Sequence, residues 1–469
     1  MHIKGQSRHQ GTLFPERLDE LIGADNPVRV IDAFVDHLDL RALGFAKAQS
    51  EATGRPPYDP GDLLKLYLYG YLHRIRGSRP LERECQKNIE VLWLLNRLAP
   101  DHKTICDFRR FNAKALVRVC REFVLFCRSQ SLYGGELVAI DGSKFKADNH
   151  PVKISRKKEL KRQVERIDRE IEAWLEGMAE ADAAEEAPEP VDPERTQRAL
   201  QALQAERENL TERIAAMDER GREAEPHTDR EAGSMKGGVG YNVQTAVDDK
   251  HALIVDFDVV ADGNDLKQLY RMARRSRTVL QAGILKALAD GGYSNGHLLA
   301  RCQAHGIEPY VPVQRAVNNQ GDGKYFDKSV FRYDAEVDCY ECPAGEQLKR
   351  KGKARRDRLI TYTTDACPKC PLKPQCTGGQ RRLVTRHFEE DVLNEVAERT
   401  SANPMMMRRR KALAEHPFGT LKRRMDGGRF LVRGLQKVKA EMALAVTAYN
   451  LTRAINVLGV RRLCQVMAT

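Results

Sequence analysis

Leu137-Val138-Ala139-Ile140-Asp141-Gly142-Ser143 marks a change of period in the chain. Before it, from residue 63 to about 129, apolar side chains return every three or four positions, as in Leu63-Leu64-Leu66-Tyr67-Leu68 and Val91-Leu92-Leu94-Leu95, which is the spacing of helices with one buried face. Here four apolar residues run together between turn residues, as in a buried strand, and the run delivers an aspartate followed at once by glycine. The same grammar returns in Ile284-Leu285-Lys286-Ala287-Leu288-Ala289-Asp290-Gly291-Gly292. Between the two lie a hairpin pattern, residues 240–247 and 252–257 joined by Asp248-Asp249-Lys250-His251, and a helical stretch from 266 to about 282. Pro309-Tyr310-Val311-Pro312-Val313 follows as one more strand. Strand, hairpin, helix, strand, helix, strand predicts the α/β class, a mixed sheet flanked by helices.

Outward from that core the chain divides by composition. Toward the N-terminus the helices are separated by short polar turns such as Pro100-Asp101-His102-Lys103, and Thr104 with Asp107 has the spacing of a capping box opening the next helix, which carries Arg109 and Arg110. Helices with exposed arginines suit either a DNA-reading module or a merely solvated charged face. From about 153 to 221 the sequence is helical and highly charged, with Leu160, Val164, Ile167, Ile171 and Trp174 at steps of four and three, continued by Leu203, Leu210, Ile214 and Met217. The acidic, proline-bearing Glu185-Glu186-Ala187-Pro188-Glu189-Pro190 breaks this pattern into an antiparallel helical hairpin with a loose tip. A cysteine-rich segment spans about 338 to 377, and helices from about 404 to the end complete the chain.

The bulk numbers set outer limits. A length of 469 residues implies two or three domains, and a formal net charge of +12 favours a polyanionic partner, because lysine and arginine that neutralise phosphates release counterions. No apolar run approaches the ~20 residues that span a bilayer, and Met1-His2-Ile3-Lys4-Gly5 opens no secretory signal, so a cytoplasmic protein with no membrane partner is expected. In a reducing compartment its 11 cysteines are expected as metal ligands or core residues rather than disulfides. Cys339-x2-Cys342, Cys367-x2-Cys370 and Cys376 have the spacing of a tetrahedral zinc site, with five candidates for four places, against the plainer reading of unligated thiols in a loop. Cys85, Cys106, Cys120, Cys127, Cys302 and Cys464 read as core.

Asp141 and Asp290 on neighbouring strands could converge on one metal, although either Asp-Gly alone is also an ordinary turn. In Arg408-Arg409-Arg410-Lys411-Ala412-Leu413-Ala414-Glu415-His416-Pro417-Phe418-Gly419-Thr420-Leu421-Lys422, positions 408, 411, 415 and 422 fall on one helical face, placing a single carboxylate among cations. A solvated basic face with one ion pair would have the same spacing. Pro417 predicts a kink just past Glu415.

Together, Val138-Ala139-Ile140-Asp141-Gly142-Ser143, Ala289-Asp290-Gly291-Gly292-Tyr293 and Ala414-Glu415-His416-Pro417-Phe418-Gly419-Thr420-Leu421-Lys422 resemble the three acidic motifs of insertion-sequence DDE transposases. The resemblance runs from Pro57-Tyr58-Asp59-Pro60 to Ala448-Tyr449-Asn450-Leu451 and implies an RNase H-like catalytic domain. Asp141, Asp290 and Glu415 would hold two Mg²⁺ (Mn²⁺ as a substitute) for DNA cleavage and strand transfer, with Asp141 bridging both ions. The related Tyr-Arg-Glu-Lys signature falls here on Arg408, Lys411, Glu415 and Lys422, so the tyrosine is absent. Lys411, Lys422, Arg423 and Arg424 would contact DNA, with Lys144 and Lys146 as further candidates, and structural Zn²⁺ would sit on Cys342, Cys367, Cys370 and Cys376, leaving Cys339 as the alternative ligand. The implied organisation is 1–130, a helical DNA-binding domain; 131–152, the start of the catalytic domain; 153–224, the hairpin insertion; 225–316, the catalytic domain resumed; 317–380, a zinc-ribbon-like insertion; and 381–469, its C-terminal helical part. Double-stranded DNA, both terminal inverted repeats and target, is the implied partner, with the protein acting as a homodimer in the nucleoid. A catalytically inactive or domesticated DNA-binding protein, or an RNase H-like nuclease without strand transfer, would share these features.

Overall fold

The computed structural model describes residues 17–48, 56–148, 154–183, 193–221, 223–236, 238–313, 325–354 and 358–468. The N-terminal part is helical: α1 (Val28–Asp36), α2 (Pro60–Leu72), α3 (Ser78–Lys87), α4 (Ile89–Leu94), α5 (His102–Phe111) and α6 (Ala113–Ser129). The first of these went unread in the sequence, although Val28, Val30, Ile31, Phe34 and Val35 are all buried. Helix α5 starts one turn earlier than its capping-box spacing suggested. Asp101 is the cap, accepting from the amides of Lys103 and Thr104, and Thr104 lies inside the first turn with its hydroxyl on the same carboxylate.

β1 (Leu137–Lys146) then enters the main sheet. β2 (Ile154–Arg156) leads into the long helices α7 (Lys157–Ala183) and α8 (Pro193–Glu219), and β3 (Ala224–Pro226) pairs antiparallel with β2 to close their base. Leu160, Ile167, Leu210 and Met217 are buried between the two helices, with Val164, Ile171, Leu203 and Ile214 packed on them. Trp174 falls outside this seam and is exposed, and the hairpin tip expected at 185–190 lies outside the described residues.

β4 (Gly233–Met235), β5 (Gly238–Asp248), β6 (Ile254–Val260), α9 (Leu269–Leu280), β7 (Leu285–Leu288), α10 (Gly296–Ala304) and β8 (Ile307–Tyr310) complete the six-stranded sheet, ordered β4-β5-β1-β7-β8 with β6 also on β5. β1 is antiparallel to β5 and parallel to β7, which is parallel to β8, so the sheet is mixed, as the element order predicted. A second sheet of five antiparallel strands, β9 (Arg332–Asp334), β10 (Cys339–Glu341), β11 (Gln347–Ala354), β12 (Leu359–Thr363) and β13 (Val384–His387), encloses its own small core of Phe331, Tyr340, Leu348, Tyr362 and Val384. The short helix α11 (Lys373–Cys376) lies between β12 and β13, so this unit runs past residue 380 to His387. α12 (Glu390–Ala402), α13 (Pro404–Arg424), α14 (Leu435–Leu458) and α15 (Val460–Met467) follow.

Helix α14 ties the molecule together. It is buried almost all round and packs against α2 and α6 on one side and β6 on the other, so the N-terminal helices and the main sheet share one hydrophobic core. Its buried polar residues have fixed partners: Asn450 accepts from the Ile254 amide at 2.9 Å and donates to the Ile254 carbonyl at 2.8 Å, and Tyr449 donates to the Ala252 carbonyl at 2.7 Å. Glu441, with no exposed surface, accepts from Arg76 at 2.8 Å and from the Leu431 amide at 2.9 Å. Arg76 also binds Asp426 at 2.5 Å and the Arg429 carbonyl at 2.8 Å, so one buried guanidinium joins the N-terminal helices to the chain after α13. Among the described residues no helix is long and apolar enough to cross a membrane.

Removing one partner of a buried pair leaves the other charge uncompensated. Arg76→Met should therefore cost about 3–5 kcal/mol in urea unfolding. A loss under about 1 kcal/mol would show that the Arg76–Glu441 contact does not join the two parts.

Candidate active site

Asp141 does not end its strand, as the sequence suggested. β1 continues to Lys146 because its antiparallel pairing with β5 persists, whereas its parallel pairing with β7 stops at Ala139–Leu288. Asp141 thus sits where one neighbour has ended, and Asp290, two residues past the last residue of β7, comes to the same place. Alternation along a strand puts Leu137, Asp141 and Phe145 on one face of the sheet. Asp290 accepts from the Gly292 amide at 2.8 Å, and Asp141 from the Gly142 amide at 2.9 Å.

Helix α13 lies on that face. Met406, Met407 and Leu413 pack on Leu137, Leu288 and Tyr310, and Phe418 meets Phe145 with ring centroids 6.4 Å apart. Between these apolar contacts Arg410 reaches both aspartates, its Nη2 2.8 Å from Asp141 and 3.4 Å from Asp290. The guanidinium and the Asp141 carboxylate are mostly buried, while Asp290 is half exposed. Burial pushes the Asp141 carboxyl above the usual carboxylate range; Arg410 and the Gly142 amide pull it back, and Asp290 and Asp265 push it up. Two carboxylates converging on one cation are a donor set that could also take a hard divalent ion.

Glu415 is on the same helix and on the same side of the sheet, but its side chain is exposed. Five residues past Arg410, it points roughly 140° further around α13 and about 7.5 Å along it. Among the described residues no three Asp, Glu, His or Cys side chains come together closely enough to hold a metal ion. Arg408 and Lys411 share the exposed flank with Glu415, and the ammonium of Lys422 lies 5.8 Å from the centre of the Phe145 ring. Arg423 is exposed, whereas Arg424 is turned inward and donates to the Thr452 hydroxyl at 2.8 Å. Lys146 is exposed, and Lys144 is drawn to Asp265 at 3.6 Å. α13 runs on through Pro417 without a break, because Pro417, Phe418 and Leu421 are buried against the sheet and outweigh the hydrogen bond that proline forfeits.

The sequence reading missed Arg410 and the polar lattice behind the aspartates. A signal for Arg410 existed: at steps of four, three and four it shares a stripe with Ala414, Pro417 and Leu421, an arginine on the buried face of a helix. The lattice has no comparable signature. Asn242 and Gln244 of β5 donate to Asp265 at 2.7 and 2.6 Å, and Tyr293 donates to Gln244 at 2.6 Å. Gly142 faces this cluster.

The cysteines separate into two groups. Cys342, Cys367, Cys370 and Cys376 line one cavity of about 30 Å³, while Cys339 is buried on β10 outside it. Burial raises the Cys376 thiol, Arg382 lowers it, and the three other thiols raise it, so the four groups sense one another. The Arg382 amide donates to the Cys367 sulfur at 3.4 Å. All 11 cysteines are free thiols, and Cys106, expected in the core, is exposed because it sits a step around α5 from the buried Ile105.

A family model described as a transposase DDE domain matches residues 209–451, just over half of the chain, and one described as a transposase domain (DUF772) matches residues 16–111. The chain therefore belongs to the insertion-sequence transposases with a DDE domain, and DNA transposition is the activity that membership implies. The longer match contains Asp290 and Glu415 but begins after Asp141, inside α8, because the hairpin α7–α8 separates the first acidic motif from the rest. Among solved structures, the chain is similar to the cryo-EM structure of the piggyBac transposase synaptic complex with hairpin DNA, over 97% of this chain and 81% of that one, at 7% identity and a TM-score of 0.31. A likeness that faint carries no argument. No curated protein matches.

A Cβ at position 142 would overlap Gln244 Nε2 and Asp265 Oδ1, which cannot swing away because they hold each other and Tyr293. Gly142→Ala should lower stability by about 1–3 kcal/mol in chemical denaturation, as overpacking does. An unchanged midpoint would show that the lattice is loose.

Proposed function

We propose that this transposase binds the ends of an insertion sequence and carries out metal-dependent DNA cleavage and strand transfer, with Asp141, Asp290 and Glu415 as its three acids. The observation that carries the reading is the meeting of Asp141 and Asp290 on a single cation, Arg410, at 2.8 and 3.4 Å. Oxygen donors of this kind hold Mg²⁺ or Mn²⁺. Divalent ions there would supply charge stabilisation for in-line displacement at a phosphodiester.

The chain's own residues do the rest. Asp141 and Asp290 would hold the divalent ions, and their contacts with the Gly142 and Gly292 amides orient both carboxylates. Lys411, Lys422 and Arg423 lie along α13 and would neutralise DNA phosphates, with Glu415 among them as the third acid. Arg424 is placed to brace this part of the helix through Thr452. The sheet around Asp141 is consistent with an RNase H-like catalytic domain, the N-terminal helices with the part that reads terminal repeats, and a homodimer with two ends held together. Structural Zn²⁺ on Cys342, Cys367, Cys370 and Cys376 would stiffen the second sheet, whose five apolar core residues are few for a unit of that size.

Two measurements test this. Asp141→Ala, Asp290→Ala and Glu415→Ala should each reduce Mg²⁺-dependent nicking of a supercoiled donor plasmid to background while gel-shift binding of the element's ends persists. Nicking retained by one variant removes that residue from the list, and Glu415 is the most exposed to this outcome. Replacing Cys367 and Cys370 together by serine should lower bound zinc and the melting temperature of the purified protein; equal zinc before and after would dismiss the site.

A further inference from the structure

Arg410 is not one of the cations that the family signature selects, yet it is the side chain on which the two aspartates meet. We infer that Arg410 is a built-in counter-cation: it holds Asp141 and Asp290 while no divalent ion is bound, must leave them for one to bind, and so sets the metal affinity of the DNA-free protein. This rests on the functional reading above.

The argument begins with repulsion. Two carboxylates that converge beside buried apolar side chains need positive charge between them, and one guanidinium supplies it. A guanidinium does not lose its proton at any working pH, so Arg410 is not released by its own deprotonation; a competing cation or an attracting anion can displace it. The site is built for it to be present. Arg410 lies on the buried stripe of α13, bracketed by Met406 and Met407 on one side and Phe418 on the other, and its side chain is mostly buried.

The site is also built for it to leave. Its Nε is buried with no hydrogen-bond partner, and a single Nη2 serves both aspartates, the second at a long 3.4 Å. That is one atom of a five-donor fork in use, well short of the paired geometry that makes arginine–carboxylate contacts strong. A divalent ion brings twice the charge to the same oxygens. Lys411, the next residue, is on the exposed flank where phosphates would lie, so DNA would bring an anion that attracts a displaced Arg410. Metal and DNA should therefore favour each other's binding, by an equal factor in each direction.

The test measures Mn²⁺ binding to the full-length protein by electron paramagnetic resonance at one fixed pH, with and without a duplex carrying the element's end. Arg410→Gln should bind Mn²⁺ about tenfold more tightly than the native protein without DNA, the equivalent of one charge-assisted hydrogen bond removed from the competition. Arg410→Lys, which keeps the charge but loses the fork, should shift in the same direction by less. The duplex should tighten Mn²⁺ binding in the native protein and do so less in Arg410→Gln. Native-like affinity in both variants, with Asp141→Asn abolishing binding, overturns the role of Arg410 and leaves the metal site standing. Undiminished Mn²⁺ binding by Asp141→Asn overturns the functional reading instead. If Arg410→Gln does not fold, Arg410→Lys decides alone: tighter binding supports the inference and equal binding ends it.

Discussion

Two carboxylates cannot occupy one small, half-buried space unless positive charge lies between them, and much of this molecule is arranged around that constraint. The parallel pairing of β1 with β7 stops early enough to leave Asp141 uncovered, and the turn after β7 brings Asp290 alongside. On the reverse side Gly142 carries no side chain, so Gln244 and Asp265 can pack against the strand and hold its far end in register. α13 closes the front with apolar side chains at both ends of its contact and one guanidinium in the middle. The charge is required by the acids, and the apolar contacts on either side determine which residue provides it.

The second requirement is that the six-stranded sheet and the N-terminal helices stay in fixed relation. Separate domains joined by a linker would each have a closed core, but here α14 is the interior of both. A helix buried on every side has nowhere to put polar atoms except into fixed partners, which is why Glu441 meets Arg76 and Asn450 clasps the backbone of β6. Arg76 goes on to Asp426 and the Arg429 carbonyl, just after α13, so the helix that carries the basic flank is anchored to the N-terminal part.

Much of the fold was legible in local pattern. The apolar run before Asp141, its twin before Asp290, the hairpin 240–257 and the heptad-like spacing of α7 and α8 each follow from a period that a single stretch of chain displays. The failures have equally local reasons. α1 is short and stands apart from the longer helical run. Thr104 had the spacing of a cap, yet Asp101 offered the stronger acceptor and took the amides. Pro417, read in the sequence as a kink, lies inside a helix that stays continuous, with Phe418 and Leu421 beyond it buried.

The residue types at the site, two aspartates after apolar strands and a glutamate among cations, were determined by the sequence alone, because strand ends and charged helix faces are written in adjacent residues. Spacing alone offered five cysteines, Cys339 among them, and the family resemblance implied the four that come to share a cavity. Which arginine of Arg408-Arg409-Arg410 meets the aspartates was decided only in three dimensions, as was the outward direction of Glu415. The phase of α13 against the sheet depends on how Met406, Leu413 and Phe418 pack on β1 and its neighbours, contacts made between distant stretches of chain, and no local period carries that information.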